Sequence, residues 1–259
     1  MSIRGDLMMA QYDTRQYDKI GAEYEQFKYE EFATWSIVEK ASFLKVIGNI
    51  KGKTFLDLAC GTGFYTRLLK EKGATKVVGV DISEEMVRHA RQKEANNPLG
   101  IEYHVRDVAQ LPHLGKFDLV TAVALLHYAK DRHHLLEMLC HIIDNLRNGG
   151  QFVTYITNPD FSLCKSNMTP YGITILQEEP MPDGRTRKSK LNTNPPTFIS
   201  NFVYDRSVYE WATKEAGFKK LKWHVRPEVP SEAIAKYGEA YWQDLLNNPS
   251  GILISCEKP

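Results

Sequence analysis

The sequence predicts an α/β fold, a doubly wound and mostly parallel sheet of seven strands with helices on both faces. Three observations carry this reading. Short apolar runs alternate with helix-patterned stretches from residue 54 to residue 157, the rhythm of parallel strands joined by helices. A bare segment inside FLDLACGTGFY, residues 55–65, separates the first apolar run from the first of these helices, at a place where open α/β sheets take their ligands. A proline-rich interruption at 158–204 is followed by a return of the same rhythm.

Taken in order, residues 12–47 read as helical, because YDKIGAEYEQFKYEEF and TWSIVEKASFLKVI carry apolar residues at mixed spacings of three and four. NIKGK is a turn, and TFLDLA is a short buried strand. GFYTRLLKEKG is a short helix closed by Gly73. KVVGVDI is the second strand. SEEMVRHARQKEA is a helix with Ser83 as its N-cap and two glutamates in its first turn, where the helix dipole favours negative charge. IEYHVRD is a strand, and FDLVTAVALLHY begins as one and runs into a loop or helix. HHLLEMLCHIIDNLR is a helix, followed by the strand GGQFVTYIT.

Residues 158–204 break the pattern with Pro159, Pro170, Pro180, Pro182, Pro195 and Pro196 and a basic turn, DGRTRKSK. YGITILQ and TFISNFVY are candidate strands of an inserted antiparallel flap. The core pattern resumes with helix DRSVYEWATKEAG, strand FKKLKWHV, a short helix near SEAIAKYGEAYWQDLL and a last strand GILISCEK. The chain thus divides into N-terminal helices (1–48), a ligand-binding core (49–157), the flap (158–204) and the completion of the core sheet (205–259).

The 259 residues suffice for one large domain with an insertion, and a hydrophobic content of 42% is enough for a core. A formal net charge of +1 gives no general attraction to nucleic acid or acidic membranes, although it leaves room for a local patch. The four cysteines, Cys60, Cys140, Cys164 and Cys256, form no C-x-x-C pair, which fits a reduced, cytoplasmic protein without a disulfide framework or zinc site. No stretch approaches the roughly 18 apolar residues of a membrane helix, and MSIRGDLMMAQYD lacks the features of a signal peptide.

The glycine loop raises the choice of ligand. A dinucleotide fingerprint needs G-x-G-x-x-G; Gly61 and Gly63 fit, but Thr66 stands at the third position. Asp57, at the end of the first strand, is a poor neighbour for a pyrophosphate and a good one for a cation. S-adenosylmethionine carries a sulfonium and an ammonium and no phosphate. Ala59, Gly61 and Gly63 then allow close approach. Asp81, ending the second strand, can accept both hydroxyls of a ribose, in either class of ligand. Asp107, ending the third, can receive an adenine amine, with Ile82 and Met86 on either side of the ring.

With these residues in place, the chain resembles the class I S-adenosylmethionine-dependent methyltransferases, whose fold is Rossmann-like. The resemblance covers roughly residues 50–156 and rests on DLACGTG, GVDIS, RDVAQLP, FDLVTAVALLHY and LRNGGQFV, in that order. Where the family often has glycine, this chain has Ala59. The resemblance implies that Asp57 and the loop, with Tyr65, hold the methionine part of the cofactor S-adenosyl-L-methionine, and that Asp81 holds the ribose. It places Asp107 and Val108 on the adenine edge and the backbone near Ala124 on the methionine side. The N-terminal helices, with Tyr12, Tyr17 and Tyr24, become a lid: Tyr17 and Tyr24 against the cofactor, Tyr12 towards a substrate. FVYDRSVYEWATKEAGF, YGEAYWQDLLNNP and YDKIGAEYEQF are further similar to toxoflavin-type small-molecule N-methyltransferases.

The implied chemistry is methyl transfer to nitrogen or oxygen of a small, planar molecule in an enclosed pocket. A macromolecular (RNA or protein) methyltransferase and a non-catalytic binding module are the alternatives. His127, after the fourth strand, is either a base or substrate-orienting group, or a histidine tied to nearby backbone. Tyr128 and Tyr155 either stack on the substrate or fill the space under the flap. Trp223 and His224 are lesser candidates for the same pocket. His133, Glu137 and His141 share a helix face opposite an apolar one, the pattern of a solvated face rather than a metal site. Cys60 reads as a small packing residue, and Arg185–Lys190 as a solvated hairpin tip rather than a nucleic-acid or phosphate contact.

Overall fold

The structure, a computed structural model, describes residues 34–259. Its main sheet has seven strands: β1 (Thr54–Leu58), β2 (Lys76–Asp81), β3 (Glu102–Val105), β4 (Phe117–Val123), β5 (Leu146–Thr157), β9 (Lys219–His224) and β10 (Gly251–Glu257). They lie in the order β3-β2-β1-β4-β5-β10-β9. All neighbours pair parallel except at β10, which is antiparallel to β5 and β9. The chain leaves β1 for β2 on one side and returns after β3 to place β4 on the other. This reversal opens a crevice at the carboxyl ends of β1 and β4.

Apolar residues on both faces of the strands explain why the sheet is covered twice. Leu56, Leu58, Val120, Ala122 and Ile254 pack on one face with α4 (Arg132–Asp144) and α5 (Arg206–Glu215). Phe55, Val77, Leu119, Val153 and Leu253 pack on the other with α1 (Thr34–Ile47), α2 (Phe64–Glu71) and α3 (Glu84–Asn96). The Ser83 cap forms as expected, its Oγ accepting the Met86 N–H at 3.2 Å. The stretch expected as one helix near 231–246 is broken at Gly238 (φ +81) into α6 (Ser231–Tyr237), a 3-10 turn and α7 (Gln243–Asn247). Among the described residues no helix is long and apolar enough to cross a membrane.

The interruption at 158–204 contains a separate antiparallel sheet, β6 (Ile173–Met181), β7 (Gly184–Leu191) and β8 (Thr197–Tyr204). The basic run is its central strand, not a solvated tip. Thr186, Arg187 and Ser189 are buried within it, with Arg187 3% exposed. The turn is confined to Pro182–Asp183, where Asp183 adopts φ +67. The flap is fastened to the core: Tyr204 O–H donates to the Ala129 carbonyl at 2.6 Å, and Asn201 Nδ2 donates to Thr157 Oγ1 at 3.0 Å.

Candidate functional site

A cleft opens at the carboxyl ends of β1 to β4. Its walls include Asp57, Ala59, Gly61 and Tyr65, then Asp81, Ile82 and Met86, then Asp107 and Val108, and finally Ala124 and Tyr128. Each group follows or ends one parallel strand, so the sheet brings together residues far apart in the chain. Asp57 is 1% exposed, and Thr121 on β4 donates to its Oδ1 at 2.9 Å. Ala59 (φ +53) and Ala124 (φ +63) hold left-handed backbone on this wall, each at a cost of about 1–2 kcal/mol. At Gly61 (φ +55) a side chain would meet no protein atom, so the bare backbone faces open space.

Asp81 braces this loop. Its Oδ2 accepts the Gly61 N–H at 2.8 Å and its Oδ1 the Ser83 N–H at 2.9 Å. Asp107 stands two residues beyond β3, where its Oδ1 accepts the Ala109 N–H at 2.9 Å. Gly63 departs from expectation. It does not line the cleft; a Cβ there would lie 2.5 Å from the Tyr103 hydroxyl, so its bareness serves helix packing. The same hydroxyl sits 3.1 Å from Thr66 Oγ1, which accounts for threonine where a dinucleotide fingerprint has glycine. Burial, then the nearby Asp81 and Asp57, push the Cys60 thiol well above its usual range, so it is an inert packing group.

A second chamber lies between the end of β5 and the flap. His127, Tyr128 and Tyr155 line it from the core, Glu39 from α1, and Ile173, Ile175, Arg187, Leu191, Ile199 and Asn201 from the flap. Ala124 and Tyr128 belong to both walls, so cleft and chamber meet there. His127 is 7% exposed, its ring 4.6 Å edge-on to Tyr128, with Thr157 Oγ1 3.5 Å from its Nδ1. Burial, helped by the Arg187 charge, lowers its pKa to about 3, so its imidazole is neutral near pH 7. Tyr65 O–H donates to Glu39 Oε1 at 2.7 Å, joining α1 to the cleft wall.

The comparisons bear on this geometry. Residues 55–150 match the family described as "Methyltransferase domain". This is a class I S-adenosylmethionine-dependent methyltransferase domain. Over 116 residues the methyltransferase is 34% identical to a tRNA U34 carboxymethyltransferase of Psychromonas ingrahamii, covering 41% of this chain and 32% of the relative. Over 131 residues it is 30% identical to a ubiquinone biosynthesis O-methyltransferase of Coxiella burnetii, covering 50% of this chain and 51% of the relative. The chain therefore spans about half or less of the length of these relatives. A solved S-adenosylmethionine-dependent methyltransferase from Mesorhizobium loti shares the fold, with a TM-score of 0.59 at 22% identity over 85% of this chain and 98% of that one.

The cofactor of the methyltransferase is S-adenosyl-L-methionine, and the cleft suits it: a buried carboxyl, bare backbone and the exposed apolar side chain of Ile82. Of the other expected residues, Tyr12, Tyr17 and Tyr24 lie outside the described residues. Tyr155 lies on the chamber, not the cleft. Trp223 and His224 line a neighbouring groove that shares Glu39, Tyr155, Ser250 and Gly251 with the chamber, rather than the chamber itself. His133 stacks edge-on against Trp211 at 5.8 Å, and no group of metal ligands occurs among the described residues. Glu39 and Asn201 carry no sequence signal, because they reach the chamber from distant elements, while Arg187 stands in the basic run Arg185–Lys190, whose local pattern reads as a solvated tip.

Proposed function

We propose that this methyltransferase moves a methyl group, by in-line displacement, onto a nitrogen or oxygen of a small planar molecule enclosed under the flap. The observation that carries the reading is the shared wall at Ala124 and Tyr128, which joins the cofactor cleft to a chamber roofed by β6–β8. S-adenosyl-L-methionine, when bound, supplies a methyl group on a positively charged sulfur.

In this reading Asp57, Ala59, Gly61, Tyr65 and the Ala124 backbone receive the methionine part. Asp81 receives the ribose hydroxyls. Asp107 and Val108 meet the adenine edge, with Ile82, 40% exposed, and Met86 against the ring. Tyr128 and Tyr155 offer flat surfaces to the substrate. His127 orients it by hydrogen bonding; a group that resists protonation down to about pH 3 is a weak base near neutrality. α1 acts as part of a lid through the Glu39–Tyr65 contact. The chain's work is alignment and exclusion of water.

A second reading, methylation of RNA, is favoured by the name of the Psychromonas relative. Calorimetric titration with S-adenosylmethionine, S-adenosylhomocysteine and NAD, followed by a turnover screen of planar heterocycles, amines, phenols and bulk tRNA, tests both. Binding of the first two alone with turnover of a small molecule supports the proposal. Turnover of tRNA only replaces it with the second reading, and binding of NAD refutes both.

A further inference from the structure

Arg185 and Arg187 stand two residues apart on β7 and so share a face. Both lean on one carboxylate. Glu178 Oε1 on β6 lies 3.0 Å from Arg185 Nε and 2.7 Å from Arg187 Nε. Two guanidiniums against one carboxylate leave one positive charge in excess. Arg185 Nε makes no hydrogen bond, but its other two nitrogens are tied to the core, with Nη1 donating to the Pro159 carbonyl at 3.0 Å and Nη2 to the Phe161 carbonyl at 3.1 Å. It is a structural tie.

Arg187 is placed differently. Its side chain is 4% exposed and its guanidinium lies 4.9 Å over the Phe161 ring. Nη1 reaches only the Ser250 carbonyl, at 3.4 Å. Nη2 is 2.7 Å from Glu178 Oε1 but makes no hydrogen bond, because its N–H groups are not aimed at that oxygen. Burial lowers the Arg187 pKa to about 10, which still leaves it protonated at neutral pH. Among the described residues lining the chamber it is the only cation; the other titratable groups facing it are Glu39, His127, Tyr128 and Tyr155. The rest of the flap wall is mostly apolar, with Ile173, Ile175, Leu191 and Ile199 beside the neutral polar Ser189 and Asn201. A desolvated guanidinium with donors to spare, set in a mostly apolar wall, matches a planar anion with two oxygens.

We propose that Arg187 is a specificity-determining anion site, and that the molecule methylated here carries a carboxylate on an apolar body. The inference rests on the small-molecule reading above and deepens it. Arg187 does not line the cofactor cleft, so the carboxylate is a handle; the accepting atom lies at the other end, towards Ala124 and Tyr128.

The test uses the full chain saturated with S-adenosylhomocysteine and titrated with matched probes: 4-hydroxybenzoate against 4-hydroxybenzamide, and indole-3-acetate against indole-3-acetamide. The acid of each pair is expected to bind about tenfold or more tightly, the effect of one charge-assisted hydrogen bond. The preference should vanish in Arg187→Met and in the double variant Arg187→Met/Glu178→Leu, which leaves no orphaned carboxyl, and persist in part in Arg187→Lys. Unaltered S-adenosylhomocysteine affinity certifies that each variant is folded. Equal binding of acid and amide, binding of neither beside normal S-adenosylhomocysteine binding, or a preference that survives in the double variant overturns the proposal. A wild-type chain that binds no S-adenosylhomocysteine overturns the reading beneath it as well.

Discussion

Asp81 Oδ2 accepts the backbone N–H of Gly61 at 2.8 Å, while Oδ1 accepts that of Ser83 at 2.9 Å. One carboxylate thus ties the glycine loop after β1 to the end of β2 and caps the approach to α3. Its proposed role towards a ribose is added to this structural one. Asp81→Ala removes both roles. S-adenosylhomocysteine affinity is expected to fall at least about thirtyfold, roughly 2 kcal/mol, and the unliganded protein to lose about 1–3 kcal/mol as two N–H groups lose their acceptor. Asp81→Asn should do little better, because its NH2 must face one of those two donors. Calorimetry and denaturant melts check this; unchanged affinity in the alanine variant removes the ribose assignment.

Thr66 completes a near miss to the dinucleotide fingerprint, and its Oγ1 sits 3.1 Å from the buried Tyr103 hydroxyl. Thr66→Gly would restore the fingerprint on paper. It is expected to gain no NAD binding, because Asp57 still lines the cleft, and to cost about 2 kcal/mol from one lost hydrogen bond and a glycine inside α2. Titration with NAD and a thermal melt decide the matter. Acquired NAD affinity would show that residue 66 sets ligand class.

These two residues mark what the sequence reveals and what it hides. Strand ends are legible because an apolar run must stop where polar chemistry begins. Asp57, Asp81 and Asp107 were found that way, and the parallel sheet gathers them. Gly63 reads as part of the same loop chemistry but answers to Tyr103, some forty positions away in the chain and on β3, two strands across the sheet from β1. The flap was legible as an interruption, since its prolines break the α/β rhythm. Its central strand was not. GRTRKSKL alternates inward and outward like any strand, but its inward residues include Arg187, whose countercharge, Glu178, is on β6. A buried ion pair between strands leaves no local apolar pattern to read. Glu39 is hidden because its partner is distant in the chain: Tyr65 meets it from α2.

Tyr204 joins the flap to the loop that carries His127 and Tyr128, donating its buried O–H to the Ala129 carbonyl at 2.6 Å. Tyr204→Phe keeps the ring in the core and deletes that bond. A stability loss of about 1–2 kcal/mol is expected, together with a rise in substrate KM and no change in S-adenosylhomocysteine affinity, since Tyr204 lies off the cofactor cleft. Equal losses for cofactor and substrate would indicate that the whole loop has shifted and that the flap is not separately anchored.

His127 gives the fold a predictable response to acid. Its pKa falls from 6.5 to about 3 in the folded chain, through burial first and the Arg187 charge second. Between those two values the unfolded chain binds a proton that the folded chain refuses. The contribution is therefore fully present above pH 6.5 and is lost progressively as the pH falls towards 3. At pH 4.5 the loss from this residue is roughly 2–3 kcal/mol, from 1.36 kcal/mol per unit. His127→Gln keeps a hydrogen-bonding side chain without the titration. Denaturant melts at pH 7.5 and 4.5 should show a pH-dependent loss smaller by about that amount in the variant. Turnover by the wild type should show no inflection near pH 6.5 traceable to this residue. If the variant reproduces the wild-type pH dependence of stability, His127 is not held neutral by its burial. If a turnover inflection near pH 6.5 disappears in the variant, the residue acts as a base and not as an orienting group.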